Sequence, residues 1–249
     1  MSARRERFLE EMGLTPVWRL RNRQVDEAQA QSAEAEADAM AEAEVAAPQA
    51  LLDAPDREAR IARMDWGELK DKVAACTDCG LRKTCTQTVF GVGDQEADWL
   101  LVGEAPGAEE DARGEPFVGQ AGRLLDSMLA SIDLARGHNV YIANVLKCRP
   151  PGNRNPEPME VAQCSPYLIR QVQLIRPRLI IAMGRFACQT LLDTDASIGS
   201  LRGRLHRYQG VPLIVTYHPA YLLRSLHDKA KAWEDLCFAR RTMAELLQA

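Results

Sequence analysis

The chain has no apolar stretch approaching the roughly 20 residues that a membrane-spanning helix needs. Near its start, Arg4, Arg5 and Arg7 are followed by Glu10 and Glu11, where a secretory signal would carry an apolar segment. We therefore expect a cytoplasmic protein with no membrane association. The chain has 7 cysteines, an odd number, and without a secretory signal disulfides are not expected. A metal or iron–sulfur site is the natural reading of several of these thiols.

The charge of the chain is unevenly distributed, although its net value is only −4. Residues 26–58 hold ten acidic side chains, one basic side chain and no aromatic residue, which indicates a disordered or weakly helical acidic linker. Residues 1–25 form a short amphipathic segment that could dock on a protein partner. Residues 139–225 hold eleven Lys or Arg and four acidic side chains. Such an excess suits a phosphate-binding surface, and equally an ordinary solvated face.

Strand-like and helical patterns alternate through the rest of the chain. Apolar runs at 99–102, 140–145, 179–183 and 213–217 predict strands, and patterns at 66–73, 121–132, 159–175, 185–192 and 229–247 predict helices. This alternation predicts an α/β fold: a three-layer αβα sandwich around a small, mostly parallel sheet, in one domain at 59–249. Ligands of such sheets bind beyond the carboxyl ends of the strands. We therefore expect the site to form from three segments: 103–107, 144–155 and 218–223.

Four cysteines have a spacing that suggests metal ligation. Cys76 and Cys79 form a Cys-x-x-Cys pair, Cys148 follows an apolar run, and Cys164 lies 16 positions later. Four thiolates suit either Zn²⁺ or a [4Fe–4S] cluster, and the spacing alone does not separate the two. The remaining thiols are Cys85, Cys188 and Cys237. We interpret the last two as buried apolar residues, while Cys85 lies near enough in sequence to be an alternative ligand.

Several motifs at the predicted strand ends together resemble one family. They are Gly-Glu-Ala-Pro-Gly (103–107), Pro-Phe-Val-Gly-Gln-Ala-Gly (116–122), Asn144 with Lys-Cys-Arg-Pro-Pro (147–151), and His-Pro-Ala-Tyr-Leu-Leu (218–223). With the four cysteines, they resemble the iron–sulfur (family 4) uracil-DNA glycosylases over roughly residues 64–245. The resemblance implies hydrolysis of the N-glycosidic bond of deoxyuridine in single- or double-stranded DNA, which releases uracil, leaves an abasic site and starts base excision repair. It also implies a [4Fe–4S] cluster on Cys76, Cys79, Cys148 and Cys164.

The resemblance assigns roles to four side chains that would meet the flipped nucleotide. Phe117 would face the base, and Asn144 would pair with O4 and N3–H of uracil and so reject cytosine. His218 would stabilise the uracil anion as it leaves. Leu222 would be the apolar wedge that fills the vacated base stack; the alternative is a leucine at a helix start that packs in the core.

The acidic and loop residues have less specific expected roles. Ala105 stands where the best-known uracil-DNA glycosylases carry a water-activating Asp, so Glu104 becomes the first candidate for positioning water. Glu110 would crowd out the methyl group of thymine, and Gly107 would lie with Ala105 against the substrate. Asn153 would face DNA from a loop anchored at both ends by cluster ligands.

Two other functions compete with the glycosylase interpretation. A non-catalytic DNA-binding module could use the four cysteines as a structural metal site, and Ala105 favours it. An iron–sulfur redox sensor is the third possibility. Neither needs Phe117, Asn144 and His218 together at three strand ends, so we expect an enzyme, and by default a monomer.

Overall fold

Within residues 57–248, which the computed structural model describes, one six-stranded sheet forms the middle layer. Its strands are β1 Val92–Gly93, β2 Trp99–Gly103, β3 Val140–Asn144, β4 Leu179–Met183, β5 His206–Tyr208 and β6 Val211–Thr216. Their spatial order is β1-β3-β2-β4-β6-β5, with the four inner strands parallel and both edge strands antiparallel. The prediction of a mostly parallel sheet is therefore confirmed.

The inner strands are apolar on both faces because helices cover both. In β2, Trp99 and Leu101 belong to the core on one side of the sheet, whereas Leu100 and Val102 belong to the core on the other. Every residue of β2, β3 and β4 is buried. Such continuous apolar runs are typical of parallel strands covered on both faces.

Eight α-helices follow a short helical segment at residues 57–61 within the described part of the chain. They are α1 Trp66–Ala74, α2 Ala108–Arg113, α3 Gln120–Ala130, α4 Pro158–Ile175, α5 Arg185–Leu192, α6 Ile198–Leu201, α7 Pro219–Leu222 and α8 Lys229–Gln248. Helices α3 and α8 contribute to one core, and α4 and α5 contribute to the other. The three-layer αβα architecture is thus confirmed.

The parallel strands end together at one edge of the sheet. Gly103 at the end of β2 is in register with Asn144 at the end of β3, and Met183 of β4 pairs with Thr216 of β6. The segments that carry the predicted site residues all leave the sheet from this edge. Sheet geometry alone therefore gathers residues that are more than 100 positions apart in the sequence.

The described residues begin at Arg57, and the predicted start of the domain at residue 59 stays a prediction. Arg57, which the composition placed in the linker, contacts the folded unit through its side chain. The predicted amphipathic segment 1–25 and nearly all of the acidic linker lie outside the described residues. In the part of the chain that is described, no helix has the length and apolarity to span a membrane.

Candidate active site

A cleft of about 460 Å³ lies at the carboxyl edge of the sheet. Eight of the nine side chains predicted for catalysis or substrate binding line it: Glu104, Ala105, Gly107, Glu110, Phe117, Asn144, Asn153 and His218. Leu222 is the ninth, and it is not among the lining residues. The strand ends thus gather nearly all of the predicted residues around one space, while their individual roles stay predictions.

Phe117 is held in the cleft by a strained backbone. Its φ of 56° lies in the left-handed region, which typically costs a non-glycine residue about 1–3 kcal/mol. The Arg136 guanidinium donates hydrogen bonds to the carbonyl oxygens of Pro116 and Phe117, each at 2.8 Å. Gly122 permits this turn, because a Cβ atom there would lie 1.8 Å from the carbonyl oxygen of Phe117. The ring is therefore fixed in place before any ligand binds.

Asn144 offers an unused hydrogen-bond acceptor to the cleft. Its side chain is 2% exposed, and its Oδ1 is buried without a hydrogen-bond partner. A Cβ on Gly103 would lie 2.4 Å from this oxygen and 2.7 Å from Cζ of Phe117, so a glycine is needed where the three groups meet. An orphaned buried acceptor is uncommon in native proteins and calls for an explanation. A ligand that donates a hydrogen bond from within the cleft would supply one.

His218 is held neutral, with one of its ring nitrogens already engaged. It caps α7, and its Nδ1 accepts a hydrogen bond from the backbone N–H of Ala220 at 3.1 Å. The pKa of His218 is lowered to about 4, mainly by burial; Glu110 opposes this shift and Arg224 contributes to it. In the neutral ring, Nδ1 is the acceptor, so the proton is on Nε2. The ring stacks on Phe117 with centroids 5.3 Å apart, so this donor belongs to the same cleft.

The two predicted carboxylates of the cleft occupy different environments. Burial raises the pKa of Glu104, and Arg185 opposes that shift. Glu110 accepts hydrogen bonds from the backbone N–H groups of Gly107 at 3.1 Å and Val118 at 3.2 Å. Glu110 thereby ties the loop after β2 to the loop that carries Phe117. Within the described residues, no comparable hydrogen bond to the Glu104 carboxylate is recorded. A carboxylate left available in this way suits a group that must act on water or on the sugar.

The loop between Cys148 and Cys164 presents Asn153 with the left-handed φ of 55°. Its Oδ1 accepts a hydrogen bond from Nε of Arg149 at 2.8 Å. Arg154 forms a bidentate pair with Glu160 at 2.9 and 2.6 Å, so its charge is partly neutralised within the loop. Of these two arginines, Arg149 therefore keeps the less compensated charge.

A second cavity is lined by all four predicted cysteine ligands, Cys76, Cys79, Cys148 and Cys164. Burial raises the pKa of Cys79 and Cys148, and it raises the pKa of Cys164 to about 11, with Lys147 opposing. Within the described residues, no set of three or more His, Cys, Asp or Glu side chains is arranged to hold a metal ion. The four thiols thus surround a common space without converging on one point.

Comparisons with known proteins agree with this geometry. A family model described as the uracil DNA glycosylase superfamily matches residues 90–237. The chain belongs to this superfamily. The chain is 49% identical over 160 residues to a type-4 uracil-DNA glycosylase of Archaeoglobus fulgidus, covering 61% of this chain and 80% of that protein. It is 40% identical over 183 residues to the type-4 enzyme of Pyrobaculum aerophilum, covering 70% and 92%. With the type-4 enzyme of Thermotoga maritima it shares 42% identity over 165 residues, covering 66% and 85%.

Leu222 is the one predicted substrate-binding residue outside the cleft, and its role as a wedge stays a prediction. Leu222 is 1% exposed and packs in the core formed with α3 and α8. The next residue, Leu223, is 38% exposed, and Leu226 is 64% exposed. The side chain predicted as a wedge is therefore part of the core in this structure, and its neighbours face solvent.

Residues outside the superfamily match brace the four-cysteine cavity. Arg57 forms an ion pair with Asp78 at 2.7 Å and donates a hydrogen bond to the carbonyl oxygen of Gln163 at 2.6 Å. Its guanidinium also lies over the ring of Tyr167, whose hydroxyl donates to Asp78 at 2.8 Å. Asp78 lies within the Cys-x-x-Cys loop and Gln163 precedes Cys164, so Arg57 joins both halves of the ligand set. The acidic composition around Arg57 gave no signal of this role.

Proposed function

We propose that this chain is a uracil-DNA glycosylase that hydrolyses the N-glycosidic bond of deoxyuridine in DNA. It would release free uracil and leave an abasic site, which begins base excision repair. The observation that carries the proposal is the buried, unpartnered Oδ1 of Asn144 beside Phe117 and His218. The names of the type-4 relatives support the same substrate.

Base recognition would begin with a nucleotide rotated out of the stack, since an enzyme cannot reach this bond inside a duplex. Asn144 Oδ1 would accept a hydrogen bond from N3–H of uracil, and its amide N–H would donate to O4. Cytosine presents an unprotonated N3 and an amino group at these positions, so both pairings would fail. Because Asn144 is buried, the mismatched groups would lack water as well, and the penalty would be large.

Bond cleavage would be assisted by the neutral imidazole of His218. As the C1′–N1 bond breaks, its electron pair passes to the uracil ring, and negative charge develops on O2. The proton on Nε2 would donate a hydrogen bond to that oxygen, which stabilises the departing anion in a site that is already organised. A cationic histidine is not needed, in agreement with the lowered pKa of His218.

The sugar would be left as an electron-poor, oxocarbenium-like cation that water attacks at C1′. Glu104 is our candidate for orienting this water and accepting its proton, because burial has raised its pKa toward that of an effective base. Ala105 has no group that could do so. The roles of Glu110 and Gly107 would be to fix the loop around the pocket, through the hydrogen bond that joins them.

We include a [4Fe–4S] cluster held by Cys76, Cys79, Cys148 and Cys164 in this proposal. The residues fit the group, since four thiols, the ligand set of a [4Fe–4S] cluster, line one cavity. Burial disfavours free thiolates, so bound iron would supply the compensating positive charge. Excision involves no oxidation or reduction, and the work of the cluster would be to anchor the loop that contains Asn153.

The test is release of uracil from a single-stranded oligonucleotide with one uracil, using otherwise identical cytosine and thymine strands as controls. We expect free uracil from the first strand alone, together with about four irons and no stoichiometric zinc per chain. DNA binding without any uracil release would leave the non-catalytic module as the correct function. We also expect the enzyme to act on duplex DNA, as a cytoplasmic monomer.

A further inference from the structure

A fully buried ammonium group lies between the cleft and the four-cysteine cavity, and bond cleavage does not use it. Lys147 is 1% exposed, and its Nζ donates hydrogen bonds to the carbonyl oxygen of Asn144 at 2.8 Å and to Oε1 of Gln171 at 2.6 Å. A buried charge is costly unless it is well paired, and an apolar side chain of similar length would fill the same space. A lysine at this position therefore indicates a task beyond packing.

The first group that Lys147 holds is the main chain that carries the base-reading amide. Asn144 is the last residue of β3, and the backbone N–H of the next residue, Val145, donates to the carbonyl oxygen of Gly103. The carbonyl of Asn144 turns toward Lys147. Fixing this carbonyl fixes the Cα of Asn144, and with it the direction in which the unpartnered Oδ1 points.

Lys147 also contacts the four-cysteine cavity. The backbone N–H of Lys147 donates to Sγ of Cys164 at 3.3 Å, Lys147 itself lines the cavity, and Cys148 is the next residue. The carbonyl oxygen of Lys147 accepts a hydrogen bond from the backbone N–H of Val89 at 2.7 Å. One residue thus contacts the ligand set through its main chain and the uracil-reading residue through its side chain.

We propose that Lys147 is a positioning residue for uracil recognition: its buried ammonium holds the main chain of Asn144 and links the base-reading strand end to the four-cysteine cavity. The inference rests on the proposed function, because it assigns Asn144 to uracil. The cluster would then influence excision without any electron transfer. By anchoring Cys148 and Cys164 it would also anchor Lys147, which orients the amide of Asn144. A cluster held by four thiolates is anionic, and the cation beside it would offset that charge.

The experiment compares Lys147→Met with Lys147→Gln in the cluster-loaded protein, with Lys70→Met as the matched control because Lys70 is an exposed lysine on α1. Four quantities are measured: single-turnover excision from single-stranded DNA, inhibition by free uracil, affinity for a uracil-free strand, and visible absorption of the cluster. Loss of an outer-shell partner that orients a metal ligand typically costs 10–100-fold in affinity or activity, and we take this range as the guide here. We expect Lys147→Met to weaken inhibition by uracil and slow excision by about that factor, while affinity for the uracil-free strand changes less than about twofold.

Lys147→Gln can still donate a hydrogen bond, so part of the uracil affinity should return, and Lys70→Met should match the wild type. Wild-type inhibition by uracil in a coloured Lys147→Met protein would overturn the inference. Equal losses of uracil inhibition and of affinity for the uracil-free strand would overturn it too, as would failure of both variants to accumulate as folded, coloured protein. Failure of the wild type to release uracil would instead reject the proposed function itself.

Discussion

Replacing Leu222 by alanine should destabilise the fold, and should not act mainly on DNA. The side chain is 1% exposed, and it packs against the apolar residues of α3 and α8. Truncating a buried leucine to alanine costs about 2–5 kcal/mol, depending on how far the surroundings collapse. A surface groove adjoins Leu222, so water can enter the space left behind, and we expect the lower part of this range, about 2–3 kcal/mol. Leu223→Ala, at a side chain that is 38% exposed, should cost less than about 0.5 kcal/mol.

Urea unfolding of the cluster-loaded proteins, followed by circular dichroism, would measure the difference. With a slope of about 2 kcal/mol per molar urea, the Leu222→Ala midpoint should fall by about 1–1.5 M, and that of Leu223→Ala should stay near the wild-type value. The comparison requires equal slopes for the variants and the wild type. A changed slope would mean that unfolding is no longer the same two-state transition, as can happen with a bound cluster. Excision from duplex and single-stranded DNA is then compared at a temperature where all variants are folded. An unchanged midpoint for Leu222→Ala, with excision lost only on duplex DNA, would refute the assignment of Leu222 to the core and restore it as the wedge.

Three further predictions concern the ligand set and the acidic group of the cleft. Cys148→Ala should lose the visible absorption of the cluster and much of its soluble yield, and full colour in this variant would remove Cys148 from the ligand set. In Arg57→Ala, the visible absorption of the cluster should be lost in air faster than in the wild type, whereas deletion of the chain before Pro55 should leave that rate unchanged. Equal rates of loss in Arg57→Ala and the wild type would mean that the Arg57 contacts do not hold the ligand loops. Single-turnover excision should fall as the pH is lowered, because Glu104, whose pKa is raised by burial, takes up a proton before His218 titrates near pH 4. Glu104→Gln should be slower at neutral pH but lack this first decline, and a wild-type decline that persists in Glu104→Gln would assign it to another group.

The architecture followed from the sequence because its signals are local and strong. The inner strands are buried on both faces, so each reads as a continuous apolar run, and β4 and α5 have the predicted bounds. The edge strands β1 and β5 were not predicted, since they hold two and three residues and none of them is buried. A strand without a buried face leaves no apolar pattern to read.

The cleft was predictable to the extent that it forms where parallel strands end. Asn144 and His218 directly follow or close apolar runs, so their meeting at one edge follows from the topology. The burial of Leu222 could not be predicted in the same way, because one residue of rotation in a four-residue helix decides which of two adjacent leucines faces the core. Arg57 and Lys147 act through contacts with residues distant in sequence, or through burial of a charge, and neither leaves a mark in composition or periodicity.

The most direct test of the account is single-turnover excision by His218→Ala, measured beside the affinity of the same protein for uracil-containing DNA. Removing one preorganised donor from a developing anion typically slows a reaction 10²–10³-fold, or about 3–4 kcal/mol. We expect that loss in the cleavage rate, with DNA affinity changed by less than about threefold and the cluster colour retained. Asn144→Ala should weaken both binding and cleavage, because the flipped uracil loses its paired edge. A wild-type cleavage rate in His218→Ala would contradict the central claim that this neutral histidine stabilises the departing uracil.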